Sequence, residues 1–204
     1  MVRWEPDARG RLAKAAMDLY AERGFDATTV AEIAERAGLT ERTFFRHYAD
    51  KREVLFAGAS ELQELLIRQV DEAPAGMPAI EVIAAALTRI ADEMFGESHE
   101  FASQRQAIIM ANADLREREL IKLASLAAAV AAALRRRGVT DPAASLAAEA
   151  GIAIFKVAFE RWVTDTGERS LAEFMQDSLD ELRAVTAGQG GLRGPSDRLI
   201  EPAR

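Results

Sequence analysis

The segment 41–47 concentrates side chains that could contact a nucleic acid. They are Arg42, Thr43, Phe45, Arg46 and His47. Arginine can donate paired hydrogen bonds to guanine or to phosphate, and the threonine hydroxyl and the histidine ring can also bond to bases or phosphates. We expect Phe44 to anchor this segment in a core, because so short a helix needs tertiary packing to be stable. The pattern predicts a short helix that is docked by one side and presents the other side to a DNA major groove.

A capped helix and a glycine turn precede this segment. Thr29 stands at an N-cap position, Glu32 completes a capping box, and apolar residues follow at helical spacing. Gly38 can adopt a positive φ angle, and Thr40 can cap the second helix. Two short helices that meet at a sharp turn are typical of a helix-turn-helix. Purely structural helical corners share this local pattern, so these residues alone leave both interpretations open.

A longer series of motifs surrounds the two helices. Between Arg11 and Leu55 the chain reads AA-x-x-LY, GF-x-x-TTV, IAERAGLT, TFFRHY and DKREVL in succession. This run resembles the N-terminal domain of the TetR family of bacterial transcriptional regulators. Family members often carry tyrosine where this chain has Phe45, so a phenolic hydrogen bond to phosphate is not available here.

The resemblance implies an all-α fold with two domains. It predicts an N-terminal three-helix helix-turn-helix domain and a C-terminal helical domain for ligand binding and dimerisation, with about nine helices in all. We place the DNA-binding domain at residues 1–52 and the ligand-binding and dimerisation domain at residues 53–187. Residues 188–204 are rich in glycine and polar groups and are expected to form a disordered tail.

The helix-turn-helix interpretation assigns contacts to particular residues. We expect Arg42, Thr43, Phe45, Arg46 and His47 to face DNA, with Arg42 and Thr43 nearest the base edges. Thr29, Thr40, Tyr48 and Lys51 are expected to hold phosphates. Phosphate contacts fix the register of a protein on DNA, whereas base contacts carry the sequence information.

Composition excludes several other classes of function. The 204 residues include no cysteine and only two histidines, and we find no nucleophile, phosphate-loop or metalloprotease motif. We therefore expect no enzymatic activity, no cofactor and no metal. No segment is apolar enough to span a membrane, which predicts a cytoplasmic protein without a membrane partner. Residues 1–53 hold equal numbers of acidic and basic side chains, so the net charge of −7 comes entirely from the residues that follow.

Apolar residues at helical spacing predict six further helices. We expect a fourth helix capped by Asp50 and continuing to about Glu72, which would link the DNA-binding domain to the next core. The others are expected at 79–95, at 101–113, after Asp114, from Asp141 to about Thr164, and after Ser170. The last two helices carry more apolar surface than one core needs, and paired terminal helices typically form the dimer interface in the TetR family. Ile154, Phe155, Leu179 and Leu182 are the residues that we assign to this interface.

Polar groups within the apolar periods of helices five to eight predict a ligand pocket. The candidate lining residues are Arg105, Asn112, Glu149, Lys156, Phe159 and Trp162. Phe159 and Trp162 would form an apolar wall, and Arg105 or Lys156 would anchor an anionic group. The second half of the chain also resembles regulators with MftR-like C-terminal domains, which implies an acyl-CoA-type or other apolar effector.

Together these expectations predict a homodimeric repressor that binds a palindromic double-stranded DNA operator and is released from it by a small molecule. The alternative is a helical protein-interaction scaffold that does not bind DNA. Amphipathic helices fit both functions, but only the first explains an exposed helix with arginine, threonine, phenylalanine and histidine side chains.

Overall fold

The computed structural model describes residues 7–95, 99–166 and 169–188, and within them the chain forms α-helices and no strand. This agrees with the predicted all-α fold. The helices are α1 Ala8–Arg23, α2 Val30–Arg36, α3 Glu41–His47, α4 Ala59–Glu72, α5 Ala79–Phe95, α6 His99–Ala111, α7 Ala113–Arg136, α8 Ala143–Thr164 and α9 Leu171–Thr186. The 3₁₀ helix Glu53–Phe56, called the linker turn below, lies between α3 and α4. The expected tail after Gly188 lies outside the described residues.

Local capping explains where the first three helices begin. The Asp7 side chain accepts a hydrogen bond from the Gly10 amide at the start of α1. Thr29 and Glu32 form the predicted capping box of α2, and the Thr40 hydroxyl accepts a hydrogen bond from the Thr43 amide in α3. Each cap satisfies backbone donors that would otherwise lack a partner in the first helical turn.

The predicted continuous helix from Asp50 to Glu72 is wrong. Asp50 does cap the chain, because its carboxylate accepts hydrogen bonds from the amides of Arg52 and Glu53 at 2.8 and 3.2 Å. The chain then forms the linker turn, breaks, and resumes as α4 at Ala59.

Side chains from other helices explain this break. In a continuous α-helix the Leu55 carbonyl would accept a hydrogen bond from the residue four positions later. It instead accepts one from the Arg105 Nε atom at 2.6 Å, and the Ala57 carbonyl accepts one from Arg9. These distant donors stabilise a sharper path than the local sequence predicts.

Helix α5 begins and ends as predicted, α8 ends at Thr164 and α9 begins after Ser170 as predicted, and the other boundaries differ by about two residues. Asn112, rather than Asp114, is the N-cap residue of α7, and Asp114 lies in its first turn. The predicted capping box of Ser170 and Glu173 begins α9. Helix ends commonly fray or adopt mixed geometry, so shifts of this size change no assignment of an element.

The described residues form two large hydrophobic cores, and a small third cluster joins Ile154 and Leu179 to α5. The N-terminal core joins α1, α2 and α3 to the linker turn and to the facing ends of α6 and α7. Its members include Leu12, Leu19, Ile33, Phe44, Val54, Leu55, Phe56, Ile108, Ile109 and Leu115. The C-terminal core joins α4 to α9, and its members include Leu66, Ile83, Leu87, Ile90, Val130, Leu134, Phe159 and Trp162. Packing around the first core therefore extends beyond the predicted boundary at residue 52.

Candidate DNA-binding face and ligand cavity

Helix α3 is held by one aromatic side chain and leaves its opposite side exposed. Phe44 is fully buried and packs its ring 5.5 Å from the Tyr48 ring. Phe45, the next residue, is 55% exposed. Arg42 and Arg46 are also exposed. Because successive helical residues point about 100° apart, one buried anchor orients all the others.

The five residues predicted to face DNA lie together on α3, but they differ in exposure. Thr43 and His47 are partly exposed, and the Arg46 guanidinium lies 3.4 Å from the His47 ring nitrogen Nε2. Among the described residues, Arg42 makes no hydrogen bond or ion pair with another protein group. The Arg42 guanidinium therefore keeps all its donors available to a ligand.

The predicted phosphate contacts divide into two groups. Thr29 and Thr40 are exposed at the beginnings of α2 and α3. Tyr48 is 4% exposed, and its hydroxyl donates a hydrogen bond to the Arg9 carbonyl at 3.1 Å. Burial raises the pKa of this hydroxyl above its ordinary value. The Tyr48 hydroxyl thus has a partner inside the protein.

Lys51 is also occupied within the fold. Its Nζ atom donates hydrogen bonds to the carbonyls of Phe25 and Thr28, both at 2.8 Å, and to that of Asp26 at 3.3 Å. The ammonium also lies 4.4 Å from the centre of the Phe25 ring. Lys51 therefore connects the end of the helix-turn-helix to the loop before α2 through hydrogen bonds within the protein.

A cavity of about 670 Å³ lies between the linker turn and helices α4 to α8. This volume is within the range that small-molecule sites occupy. Its apolar lining includes Val54, Leu55, Phe56, Leu62, Met94, Phe95, Phe101, Met110, Leu120, Leu123, Leu126, Phe155 and Phe159. Three consecutive residues of the linker turn thus belong to the N-terminal core and also contact the cavity.

The structure brings only some of the predicted ligand residues to this cavity. Arg105, Lys156 and Phe159 line it. Trp162 lies behind the wall, with its ring 5.8 Å from that of Phe159 and 4.8 Å from that of His99. The Asn112 side chain donates to the Ile108 carbonyl at 2.7 Å, away from the cavity. Glu149 is exposed on α8 and is not among the lining residues.

Arg105 connects the cavity wall to the linker turn. Besides the bond from its Nε to the Leu55 carbonyl, its Nη1 lies 3.3 Å from a Glu119 carboxylate oxygen. Its guanidinium also lies 5.3 Å from the centre of the Phe56 ring. Burial lowers the pKa of Arg105 from its ordinary value, and Glu119 opposes that effect. The predicted anionic anchor is therefore already paired.

Glu53 forms a second connection between the linker turn and α7. Its carboxylate accepts hydrogen bonds from Arg118 Nε at 2.8 Å and from Lys122 Nζ at 3.1 Å. Burial by itself would raise the pKa of Glu53. The two basic side chains outweigh that effect, and they hold the pKa below its ordinary value.

Gln106 is a cavity residue that the sequence analysis missed. It lines the cavity and is 8% exposed, and its Oε1 atom accepts no hydrogen bond from the described protein groups. Its position beside Arg105 in a polar stretch gave no sign of burial. A signal was available in the spacing of Ala102, Gln106 and Ile109, which places this amide on an apolar face of α6.

The predicted dimer residues lie mostly inside the protomer. Ile154 and Leu179 are 3% and 4% exposed and pack together against α5, with Leu182 at the edge of the cluster. Phe155 lines the cavity and stacks on Phe159 with 5.6 Å between ring centres. The assignment of Ile154 and Leu179 to a surface is therefore corrected, whereas Phe155 and Leu182 are partly exposed and their assignment to an interface stays a prediction. The exposed apolar residues of α8 and α9 are Leu146, Val157 and Val185.

The described part of the chain contains neither a cluster of metal-binding side chains nor a helix suited to a membrane. No group of three or more histidine, aspartate or glutamate side chains is arranged to hold a metal ion. No helix there combines the length and the apolar character that crossing a membrane requires.

Comparison with known families accounts for both parts of the chain. Residues 12–57 match the family model for bacterial regulatory proteins of the tetR family, and residues 77–187 match the MftR C-terminal domain. The chain belongs to the TetR family. The helix-turn-helix resemblance found in the sequence is thereby confirmed, and so is the resemblance of the second half.

Three relatives of this TetR family member show the range of similarity. TcmR of Streptomyces glaucescens, a helix-turn-helix transcriptional regulator, is 33% identical over 82 residues, which are 40% of this chain and 36% of TcmR. The mycofactocin biosynthesis regulator MftR of Mycobacterium tuberculosis is 26% identical over 177 residues, covering 85% of this chain and 88% of MftR. The Thermus thermophilus FadR repressor, solved with lauroyl-CoA, is 25% identical, with a TM-score of 0.51 and coverage of 92% and 98%.

These matches differ in how much of each protein they cover. Matches to several curated regulators cover only 36% to 47% of the length of those proteins. The similarity to MftR and to FadR extends over 85% and 92% of this chain.

Proposed function

We propose that this protein is a homodimeric repressor that binds a palindromic DNA operator through α3 and is released by a small molecule. The proposal rests on the way in which α3 is buried on one side and exposed on the other. A buried Phe44 fixes the helix, while Arg42, Phe45 and Arg46 are exposed and Arg42 has no internal partner among the described residues. Arginine near the beginning of a recognition helix is well placed to bond to base edges.

Thr29 and Thr40 complete the proposed DNA contact. Both residues are exposed at helix beginnings, where their hydroxyls cap α2 and α3 and where backbone amides also favour anionic groups. Thr43, Phe45, Arg46 and His47 would contribute the remaining contacts to bases and sugars, together with Arg42. A bacterial regulator acting on the chromosome works in the cytoplasm, and we propose that location for this protein.

The cavity supports the proposed ligand response. Its lining is mostly apolar, which suits an acyl chain, and Lys156 is an exposed cation beside it that could hold an anionic head group. FadR of Thermus thermophilus, with its lauroyl-CoA, supports an acyl-CoA-type effector for this chain. We propose that such a ligand shifts the linker turn, because Val54, Leu55 and Phe56 contact both the cavity and the N-terminal core.

The proposed dimer uses the exposed faces of α8 and α9. Leu146, Val157 and Val185 are 67%, 48% and 54% exposed, and Ala153 between the first two would allow close approach of a second helix. In a twofold dimer the same patch serves both subunits. The two α3 helices would then lie about 34–36 Å apart, or a multiple of that distance, to enter successive major grooves.

Selection of genomic fragments by the purified protein tests this proposal. We expect recovered fragments to share an inverted repeat with that half-site spacing. Arg42→Ala should weaken discrimination at one base position of each half-site by about 1–3 kcal/mol. Arg89→Ala is the matched control, since Arg89 is an exposed arginine on α5, away from α3.

Two outcomes would contradict the proposal. Recovery of no enriched sequence would favour the scaffold alternative. An Arg42→Ala protein whose base preferences equal those of the wild type and of Arg89→Ala would remove α3 from the recognition of sequence.

A further inference from the structure

One buried amide oxygen, on a residue that lines the cavity, has no hydrogen-bond partner among the described protein groups. Gln106 is 8% exposed, lines the cavity, and accepts no hydrogen bond at Oε1 from the described protein groups. A buried acceptor without a partner destabilises the folded protein. Proteins retain such groups mainly at functional sites. The amide therefore points to a hydrogen-bonding group on the ligand.

The charges around the cavity restrict what that ligand group can be. The Arg105 guanidinium already bonds to Leu55 and Glu119, and the Lys122 ammonium bonds to Glu53. Lys156 is exposed, so it can serve a head group near solvent but not a group buried beside Gln106. A charged ligand group beside Gln106 would have to break one of these pairs and would itself be desolvated. The group that meets Gln106 is therefore neutral.

A hydroxyl is the neutral group that suits this position. A glutamine amide offers an acceptor oxygen and a donor nitrogen, and a hydroxyl can donate to the first or accept from the second. A single hydroxyl adds little bulk to an apolar chain, so the remaining surface of the ligand can still contact the surrounding leucine, methionine and phenylalanine side chains.

We propose that the cavity selects an acyl chain that carries a hydroxyl group along its length, and that Gln106 recognises this hydroxyl. This inference rests on the proposed function, since it defines the chemistry of the effector at the same site. It assigns Gln106 the discrimination between hydroxylated and plain chains, and it leaves binding of the apolar chain to the rest of the lining.

Two glutamine variants isolate the role of Gln106. Gln106→Leu replaces the buried amide with an apolar side chain of similar size. Gln104→Leu makes the same change at a partly buried glutamine of α6 that does not line the cavity. If the Gln106 amide is retained for a ligand, Gln106→Leu should raise the melting temperature of the ligand-free protein, because an unsatisfied buried acceptor is removed.

Calorimetric titration without DNA provides the test, with stearate and a series of hydroxystearates that differ in the position of the hydroxyl. For the wild type and for Gln104→Leu, we expect at least one hydroxystearate to bind about 10-fold or more tightly than stearate. In Gln106→Leu this preference should disappear while stearate affinity is kept or increased.

Several results would overturn the inference. They are equal affinity of the wild type for stearate and every hydroxystearate, absence of binding by all of them, and a hydroxyl preference that survives in Gln106→Leu. Operator affinity of the ligand-free proteins is measured separately. A wild type that binds no operator would refute the proposed function, whereas normal operator binding without a hydroxyl preference would refute only this inference.

Discussion

Lys51 is the residue whose contacts depart most from what its position in the helix-turn-helix suggests. Its ammonium donates to three carbonyls in the loop between α1 and α2. Hydrogen bonds to a charged group contribute about 1.5–3 kcal/mol each. We predict that Lys51→Met lowers the free energy of unfolding by about that amount, because the carbonyls of Phe25 and Thr28 lose their donor.

The salt dependence of DNA binding separates this structural role from a phosphate contact. Neutralising one fewer phosphate reduces the slope of log affinity against log salt concentration by about one. We expect the slope to be unchanged in Lys51→Met, measured at a temperature where the variant is folded. Lys14→Met, at an exposed position of α1, serves as the control for stability. A flattened slope with unchanged stability would show that Lys51 contacts phosphate.

For single residues, the sequence predicted those contacts that involve neighbours close in the chain. The caps at Thr29 and Thr40 and the anchor Phe44 depend on neighbours within a few positions, and all three predictions are confirmed. The surroundings of Tyr48 could not be predicted, because its hydroxyl bonds to Arg9 in another helix. Gln106 was missed for the same reason, since burial of α6 depends on packing against other helices.

Among the elements, the linker turn connects the two cores through charged contacts. Glu53 accepts hydrogen bonds from Arg118 and Lys122 of α7, and these hold its pKa below the ordinary value despite partial burial. A carboxylate with a lowered pKa in the folded state stabilises the protein above its unfolded pKa, which is about 4.3. That contribution is lost as the pH falls through the lower folded value.

We therefore predict that Glu53→Gln destabilises the protein at neutral pH but hardly at all in acid. The side chain is partly exposed, so the expected difference is only about 0.5–1 kcal/mol. Urea unfolding at a series of pH values measures it. Glu64→Gln, at an exposed position of α4, is the control and should follow the wild type at every pH. An equal loss for Glu53→Gln at acidic and neutral pH would contradict the electrostatic explanation.

Helix positions were predictable from apolar spacing, but the path of the linker was not. The residues from Asp50 to Glu72 have the pattern of one helix, and local capping at Asp50 is present. The break depends on Arg9 and Arg105, which reach carbonyls 48 and 50 residues away. A periodicity argument contains no information about such distant donors.

In the molecule as a whole, the proposed effector site lies next to the linker turn, which lies between α3 and α4. The linker turn belongs to the N-terminal core, contacts the cavity, and is held by Arg105 of α6 and by Arg118 of α7. A ligand that displaces it would change how the DNA-binding helices sit relative to the rest of the protomer. A ligand can act in this way only if it binds the two arrangements with different affinity.

The sequence predicted that a ligand cavity exists, but it predicted only some of the residues that line it. Arg105, Lys156 and Phe159 line it, whereas Asn112 and Glu149 lie elsewhere. Two of the residues predicted for a dimer interface, Ile154 and Leu179, face the interior of the protomer. The sequence could not exclude them, because α8 is apolar on several sides and periodicity cannot tell which side meets α5. Exposed Leu146 and Val157 became distinguishable from buried Ile154 only through the packing of the whole protomer.

Paired titrations directly measure the proposed coupling between ligand binding in the cavity and operator binding. Operator affinity is measured with and without an acyl ligand, beginning with lauroyl-CoA and the hydroxystearates, and ligand affinity is then measured with and without operator. Allosteric couplings of about 1–3 kcal/mol correspond to changes of about 5- to 150-fold, and thermodynamic linkage requires the same factor in both titrations. We predict that ligand weakens operator binding, and operator weakens ligand binding, by one common factor in this range. A ligand that binds the cavity equally well with and without operator would contradict the account.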